Sequence, residues 1–442
     1  MSIKEVLKTP FAPLLVSSLF LVLANMVGYV AVSWWIAQQG GAADLARYGV
    51  VMSLVSLVAV PLLSPLGDRV AKGPLITAAL GCFAVAAMLL AWWVGTRGYR
   101  LDVVLAIQAV PMIAMAVVQP ATTGLAAELV PASSLQQALN RQQGAQSIGR
   151  LAGPALGGAV LAAAGTAPAL WLHAALLVMA TGLAMRLPRI ERADAARRSS
   201  WWSELRAGLK ANWGIPLERG WMAANFVSWI FIFPALTMLV PLKVQSLQLS
   251  AWWLGLCEAM LSLGVLLGAL GGANWLIARF GRFNTRVASA SAQGLALALA
   301  GVTDHPIVLV ASFALVGIGS SAMTLVGLTH RTLARPAAYR TRMSAGSIVT
   351  TQVAASLGPA LAGLALSVWS VKWVYLAFGV LGAAAALSLA AVPGFRAFMA
   401  LSHEEVDGWY GRAHPEAFGG RAGDAALSAS GACPSRSARP GQ

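Results

Sequence analysis

Apolar residues run for about 20 positions at a time, and short polar interruptions separate the runs. A run of that length crosses the hydrocarbon core of a bilayer as an α-helix, whereas a membrane barrel would alternate apolar and polar positions in strands of about ten. Twelve spans are expected, beginning near Pro10, Ala46, Pro74, Val103, Gln137, Ala167, Ile215, Ala251, Val287, Ile307, Met343 and Val374. The first run is too long for a signal-peptide core and lacks a small-residue cleavage site, so it counts as a span. The predicted fold class is therefore all-α and integral to the membrane.

Within the fifth span, Gly149, Gly153 and Gly157 recur every fourth residue beside Pro154 and Gly158. Such spacing leaves a flat stripe on a helix and lets a second backbone approach, which in lipid replaces the missing hydrophobic drive. Gly358-Pro359-Ala360-Leu361-Ala362-Gly363 in the eleventh span repeats Gly153-Pro154-Ala155-Leu156-Gly157-Gly158 at an offset of 205 residues. A second echo relates Asp68-Arg69-Val70-Ala71-Lys72 to Ala278-Arg279-Phe280-Gly281-Arg282. Two six-helix halves are expected, residues 1–186 and 215–395. Between them, residues 187–214 drop in hydropathy and mix charges. There Trp201, Trp202, Leu205 and Leu209 recur opposite Glu204, Arg206 and Lys210, as in a helix lying on a membrane surface. Residues 396–442 are polar, then rich in Gly, Ala, Ser, Arg and Pro, and are expected to be a largely disordered cytoplasmic tail.

Composition agrees with this class: 58% of residues are hydrophobic and 11% charged, too little polarity to cover a soluble globule of 442 residues. The net charge of +15 would suggest nucleic acid if it were clustered. It follows the topology instead. Lys4, Lys8, Arg69, Lys72, Arg141, the Arg186 to Arg219 group, Arg279, Arg282, Arg286, Arg331, Arg335, Arg340 and Arg342 fall on one side of the twelve-span layout. Arg47, Arg97, Arg100, Lys243 and Lys372 fall on the other. That asymmetry places both termini in the cytoplasm and removes the need for a nucleic-acid partner. Trp34-Trp35, Trp92-Trp93 and Trp252-Trp253 sit at outer span ends and read as an interfacial belt.

No catalytic set is expected. Cys82, Cys257 and Cys433 lack metal-ligand spacing, the five histidines are scattered, and no nucleophile arrangement or phosphate-cradling loop is apparent. His403-Glu404-Glu405-Val406-Asp407 reads as a solvated segment rather than a metal site. Neither cofactor nor metal nor enzymatic step is predicted.

These features together resemble the Major Facilitator Superfamily over about residues 10 to 395. Asp68-Arg69-x-x-Lys72 resembles the superfamily's loop signature, departing from it at Ser64, Ala71 and Gly73. Gly149-x3-Gly153-Pro154-x2-Gly157-Gly158 resembles its fifth-helix antiporter signature, with Asn140 at the optional upstream glycine. Glu128-Leu129-Val130-Pro131, Ala138-Leu139-Asn140, Ile148-Gly149-Arg150 and Glu204-Leu205-Arg206-Ala207-Gly208-Leu209 resemble the bacterial branch of enterobactin exporters and macrolide efflux proteins. The resemblance implies a multi-pass transporter of the bacterial inner membrane, driven outward by the proton gradient. Span four lacks the arginine that the superfamily's basic motif would place there.

Physical roles follow for particular residues. Rocking of two halves needs latches that make and break. Asp68 could accept hydrogen bonds from amides at the start of span eleven near Met343, with Arg69 and Lys72 adding ion pairs. Arg150 and Glu258 are intramembrane charges, expected to form an interhelical ion pair in one state or to couple to protons; a depth mismatch of order 10 Å by the helical rise argues against a permanent bridge. Gly264, Gly268 and Gly272 of span eight are expected to complement the stripe of span five. Asn25, Tyr29, Gln108, Gln119, Gln146 and Gln352 are candidate cavity residues, as are Gln143 and Gln293.

The reading is a proton-coupled exporter of a small amphipathic metabolite, siderophore or antibiotic-like, able to act as a monomer. Its partners would be that small molecule, protons and the bilayer. An importer of the same fold and a non-transporting membrane sensor are the rival readings.

Overall fold

The computed structural model describes residues 10–63, 70–189 and 201–418. Among these residues the regular structure is entirely helical, and ten helices are long and apolar enough to cross a membrane. Two of the ten, Ala12–Leu63 and Ala251–Val302, contain 52 residues each. At a rise of 1.5 Å per residue each would measure about 78 Å, more than twice the hydrocarbon thickness. Neither is one straight rod. Gly41 (φ 65°) and Gly281 (φ 75°) take backbone angles that a helix cannot continue through and that glycine adopts without cost. Each long element therefore makes two passes, and the chain makes twelve.

We number the helices in chain order. Spans one and two form α1 (Ala12–Leu63); spans three to six are α2 (Lys72–Thr96), α3 (Leu101–Leu129), α4 (Ala132–Ala164) and α5 (Thr166–Ala184). A connecting helix, α6 (Trp201–Gly214), leads to span seven, which is broken into α7 (Pro216–Thr237) and α8 (Leu239–Ser246). Spans eight and nine run through α9 (Ala251–Leu267), a π turn (Gly268–Gly272) and α10 (Ala273–Val302). Spans ten to twelve are α11 (Pro306–Ala334), α12 (Arg340–Leu366) and α13 (Val371–Ser388). Short helices α14 (Phe395–Ala400), α15 (His403–Val406) and α16 (Trp409–Ala413) follow.

The buried apolar side chains fall into three groups, and their distribution fixes the state of the molecule. One core joins both halves through Val30, Trp35 and Leu161 of the first and Leu239, Leu254 and Ala362 of the second. Every member lies toward the face carrying the loops at Gly41, Gly98 and Gly165. A second core, including Leu14, Leu80, Leu125 and Leu177, belongs to the first half alone. A third, including Trp221, Met343, Phe398 and Tyr410, belongs to the second half with its flanking helices. Both of these lie toward the opposite face, where the Lys and Arg residues concentrate, here called the basic face. The halves are thus sealed together away from the basic face and packed separately beside it.

Four expectations are corrected by the packing. Gly264 and Gly268 do not meet span five; a Cβ on Gly264 would run into the Ala314 carbonyl, and one on Gly268 would lie 2.5 Å from Ser321, both in span ten. Gly272 approaches only the Leu267 carbonyl of its own helical turn. The connecting helix does not simply lie on a membrane. Leu205 and Ala211 are buried, Asn212 Nδ2 donates to the Met343 carbonyl at 2.9 Å, and Gly208 lets α6 touch the Arg342 backbone. Of the paired tryptophans, Trp35 sits inside the sealing core and packs edge-on against Tyr99 at 5.2 Å rather than forming a belt.

The fourth correction concerns the segment after Phe395, which is folded to residue 418. Phe398 and Tyr410 are fully buried and stack at 5.7 Å, Arg340 pairs with Asp407 at 2.8 Å, and Tyr339 Oη donates to the Phe418 carbonyl at 3.2 Å. Ser402 and Glu405 form a reciprocal capping box at the start of α15. Aromatic burial offsets the loss of chain entropy in a segment whose composition alone reads as soluble. Residues from 419 lie outside the described part. Tyr410→Ala is expected to destabilise the protein by about 3–5 kcal/mol, the range for truncating a buried aromatic. Thermal melting of the purified full-length protein checks this, and an unchanged melting temperature would show that the segment does not dock.

Candidate functional site

Between the halves lies a cavity of about 320 Å³ lined by spans one, two, four, seven and eleven. Tyr29 and Ser33 stand one helical turn apart on span one, and Tyr48, Met52, Ser53 and Ser56 line span two. Met112, Phe233, Thr237, Met238, Gln352, Ala355 and Pro359 contribute from the other spans. The lining is mostly apolar, with hydroxyls and one amide, as in sites for amphipathic small molecules. A second chamber of about 220 Å³ shares Gln352 and runs toward the basic face past Thr350, Thr351, Ser347, Asn225, Met222, Ile348 and Arg331.

The break in span seven shapes the upper cavity. Pro241 has no N–H to give to the Thr237 carbonyl four residues back, and Pro234 likewise leaves the Ile230 carbonyl free. Hydroxyls from elsewhere meet the loosened backbone. Tyr29 Oη donates to the Thr237 carbonyl at 3.1 Å, and Tyr375 Oη donates to the Ala235 carbonyl at 2.6 Å. Unwound backbone at membrane depth is tolerated where protein groups satisfy it.

The two glycine-proline sites seat the interface. On span five, Gly149, Gly153 and Gly157 lie against span one at Leu23, Met26 and Val27. Gly158 meets Gly255 of span eight, with 2.9 Å between a notional Cβ and the facing Cα, and the Pro154 carbonyl abuts Gly255. On span eleven, Gly358 faces Ile230 and Pro234 of span seven while Pro359 presses on Gly49 of span two. The same pattern recurs at both sites: each motif packs inside its own half by glycine and reaches across by an adjacent residue, Gly158 or Pro359. The duplication read from sequence thus appears as a duplicated joint.

The charged candidates take definite places in this state. Asp68 and Arg69 lie outside the described residues. Lys72 forms an ion pair with Glu128 of span four and lays its stem over Gly124, so in this state it binds within its own half and latches nothing across. Arg150 is exposed and forms no ion pair with Glu258. The Gly158–Gly255 contact sets the register, and from it Arg150 lies about 7 Å deeper toward the basic face than Glu258 by the helical rise. Glu258 is buried, and its Oε1 lies 3.3 Å from Tyr29 Oη across the two halves.

Of the polar candidates, Tyr29 and Gln352 line the cavity, and Gln352 Nε2 also donates to Ser56 Oγ at 3.0 Å. Gln108 acts one step back, donating to Tyr48 Oη at 3.3 Å. Asn25 donates to Met115 Sδ at 3.8 Å; Gln119 is exposed, and neither it nor Gln146 lines either chamber. Gln293 is spent on Ser320 Oγ at 2.6 Å, and exposed Gln143 also lies outside both linings. Sequence reasoning missed Tyr48, Ser53 and Ser56, although a polar stripe in an otherwise apolar span was a usable signal. It also missed a buried cluster near the basic face. Arg331 clamps Glu218 through Nη2 at 2.6 Å and Nε at 3.1 Å, Arg335 joins at 3.4 Å, and Trp221 lies under Arg331 and Arg286 at 4.8 and 5.3 Å. Partners separated by more than 100 residues leave no local trace.

Residues 14–303 match the Major Facilitator Superfamily. The chain belongs to that superfamily. It is a membrane transporter of this general kind, and solved structures of other members share its fold at low identity. The nucleoside transporter NupG is 13% identical with a TM-score of 0.68, over 89% of this chain and 100% of that one. A peptide transporter POT variant in complex with alafosfalin is 12% identical with a TM-score of 0.69, over 88% and 96%. A bacterial homologue of the iron transporter ferroportin in an inward-facing state is 15% identical with a TM-score of 0.67, over 91% and 100%. No curated protein sequence matches the chain.

The seal generates a testable expectation. Cys257 is wholly buried beside the Gly158–Gly255 contact. In a protein whose Cys82 and Cys433 are replaced by serine, Gly158→Val should speed alkylation of Cys257 about tenfold, as overpacking by about 1.4 kcal/mol loosens the joint. An unchanged rate in lipid nanodiscs would contradict the role given to that contact.

Proposed function

We propose that this chain is a secondary active exporter of a small amphipathic metabolite, siderophore or antibiotic-like, working by alternating access and proton antiport. The observation that carries the reading is the cavity between the halves, sealed away from the basic face and extended toward it. Charge asymmetry favours the basic face as cytoplasmic, so this state would load substrate from the cytoplasm, with both termini on that side of a bacterial inner membrane. The fifth-span motif, which resembles that of antiporters, and the resemblance to the enterobactin-exporter and macrolide-efflux branch support the outward direction.

In the proposed cycle the joints at Gly153-Pro154 and Gly358-Pro359 act as pivots. Substrate enters from the basic face, the inner ends close, and the core around Trp35 and Leu239 parts. Asp68, Arg69 and Lys72 serve as the latch of the closed inner gate, Lys72 leaving Glu128 to do so. Glu258 is the proposed proton carrier. A buried carboxylate requires a counter-ion, water or a proton, and parting of the outer seal would separate Glu258 from Tyr29 and admit water. Arg150 approaches it only after the halves have moved.

Deleting the gene should leave a metabolite trapped inside iron-starved cells and depleted from the medium, read by untargeted mass spectrometry. With that metabolite in proteoliposomes, Glu258→Gln should retain downhill flux and lose the response to an imposed pH gradient. An unchanged metabolite profile would count against export, and an intact pH response would remove Glu258 from coupling.

A further inference from the structure

The wall of the second chamber is backed by more positive charge than its partners neutralise. Among the described residues, Arg331, which lines the chamber, and Arg335 behind it share one fully buried carboxylate, Glu218, and Arg286 lies with Arg331 against the Trp221 ring. Glu218 is held by Arg331 and Arg335, leaving Arg286 with neutral acceptors only: the Met323 carbonyl at 2.8 Å and Asn225 Oδ1 at 3.4 Å. Arg286 is nine-tenths or more buried, and its Nε has no hydrogen-bond partner. A buried guanidinium without a counter-ion is costly unless something anionic visits.

The donors face the right way. Arg331 spends Nε and Nη2 on Glu218, which leaves Nη1 without a partner among the described residues, and its side chain lines the chamber. Asn225 spends its oxygen on Arg286 and so has its amide N–H groups to offer the chamber that it also lines. Thr350 and Thr351 also line the chamber from span eleven, but their hydroxyls donate to the Gly346 and Ser347 carbonyls at 2.9 and 3.0 Å, so Arg331 and Asn225 supply the donors. Gln352 belongs to both chambers, and beyond it the wall turns to Tyr48, Met52, Met112, Phe233 and Met238. From Ser347 to Pro359 the helical rise gives a length of about 18 Å, polar and basic at one end and apolar at the other.

We infer that the substrate is an amphipathic anion, whose carboxylate or equivalent acidic group is held by Arg331 and Asn225 while its apolar or aromatic body fills the upper cavity. This rests on the transport reading for the pathway, but binding can be measured without flux. A failed transport assay with intact charge selectivity would therefore sink transport alone.

The test uses three probes of matched shape: naphthalene-2-carboxylate, 2-naphthylmethanol and 2-naphthylmethylammonium. Each is titrated calorimetrically into the full chain in phosphatidylcholine nanodiscs. The carboxylate should bind about tenfold or more tightly than either of the others. Thr351→Glu and Asn225→Asp, each checked for an unchanged melting temperature, should independently erase that preference by placing a negative charge at the chamber. Repeating the titration with phosphatidylglycerol discs separates sources of the same chemistry. Unaltered carboxylate affinity points to a soluble anion, whereas competitive weakening points to an anionic lipid headgroup at the same donors. Equal affinities for the three probes, no saturable carboxylate binding at millimolar concentration, or a preference that survives both substitutions would overturn the inference.

Discussion

Two close contacts at glycine hold the halves in register: the backbones of Gly158 and Gly255 meet directly, and the Pro359 ring sits on Gly49. Lipid tails are as apolar as leucine, so helices in a bilayer gain little by hiding hydrophobic surface from their surroundings; close approach and dispersion must do that work. Glycine is what allows the approach. The same contacts fix the height of span five against span eight, and that height decides which polar groups face one another. Tyr29 reaches Glu258 across the interface, and Arg150 is left out of reach on the basic side. The cavity, the seal and the placement of the buried carboxylate all follow from this register.

The second constraint is the breaking of span seven by Pro234 and Pro241. Pro241 frees the Thr237 carbonyl, which Tyr29 of span one meets, and Tyr375 of span twelve donates to the nearby Ala235 carbonyl of the same broken helix. Tyr29 thereby connects the broken helix, the buried Glu258 and the cavity wall in a single side chain. A movement that parts the sealed face must release the contacts of Tyr29 with Thr237 and Glu258 together, which favours two discrete arrangements over a continuum of openings.

Much of the fold was legible because its signals are local. Apolar run length gave the spans, and the repeated glycine-proline motif gave the duplication. Residue types at the interface were legible too, since Tyr29, Gln352 and the Gly-Pro sites all lie where halves or cavity meet. Partners were not. The stripe of Gly264 and Gly268 has the spacing of a packing face, but spacing does not say which helix will cover it, and span ten does so. The offset in depth between Arg150 and Glu258 was legible from the helical rise, but the Gly158–Gly255 contact that sets it was not. The Glu218 cluster and the docked segment through Phe418 depend on residues far apart in the chain, so no window of sequence displays them. Asp68 and Arg69 lie outside the described residues, and their latch role rests on the motif.

The central claim is that the halves are joined at the face away from the basic loops and free beside it, and that ligand reverses this. Pulsed electron–electron resonance between spin labels tests it directly, with one pair at Gln38 and Gln248 on the sealed face and another at Arg141 and Arg342 on the basic face. In nanodiscs without ligand the sealed-face pair should give a single short, narrow distance and the basic-face pair a longer, broader one; a ligand that drives transport should lengthen the first and shorten the second. Distances at the two faces that change in the same direction, or that do not change at all during turnover, would contradict the account.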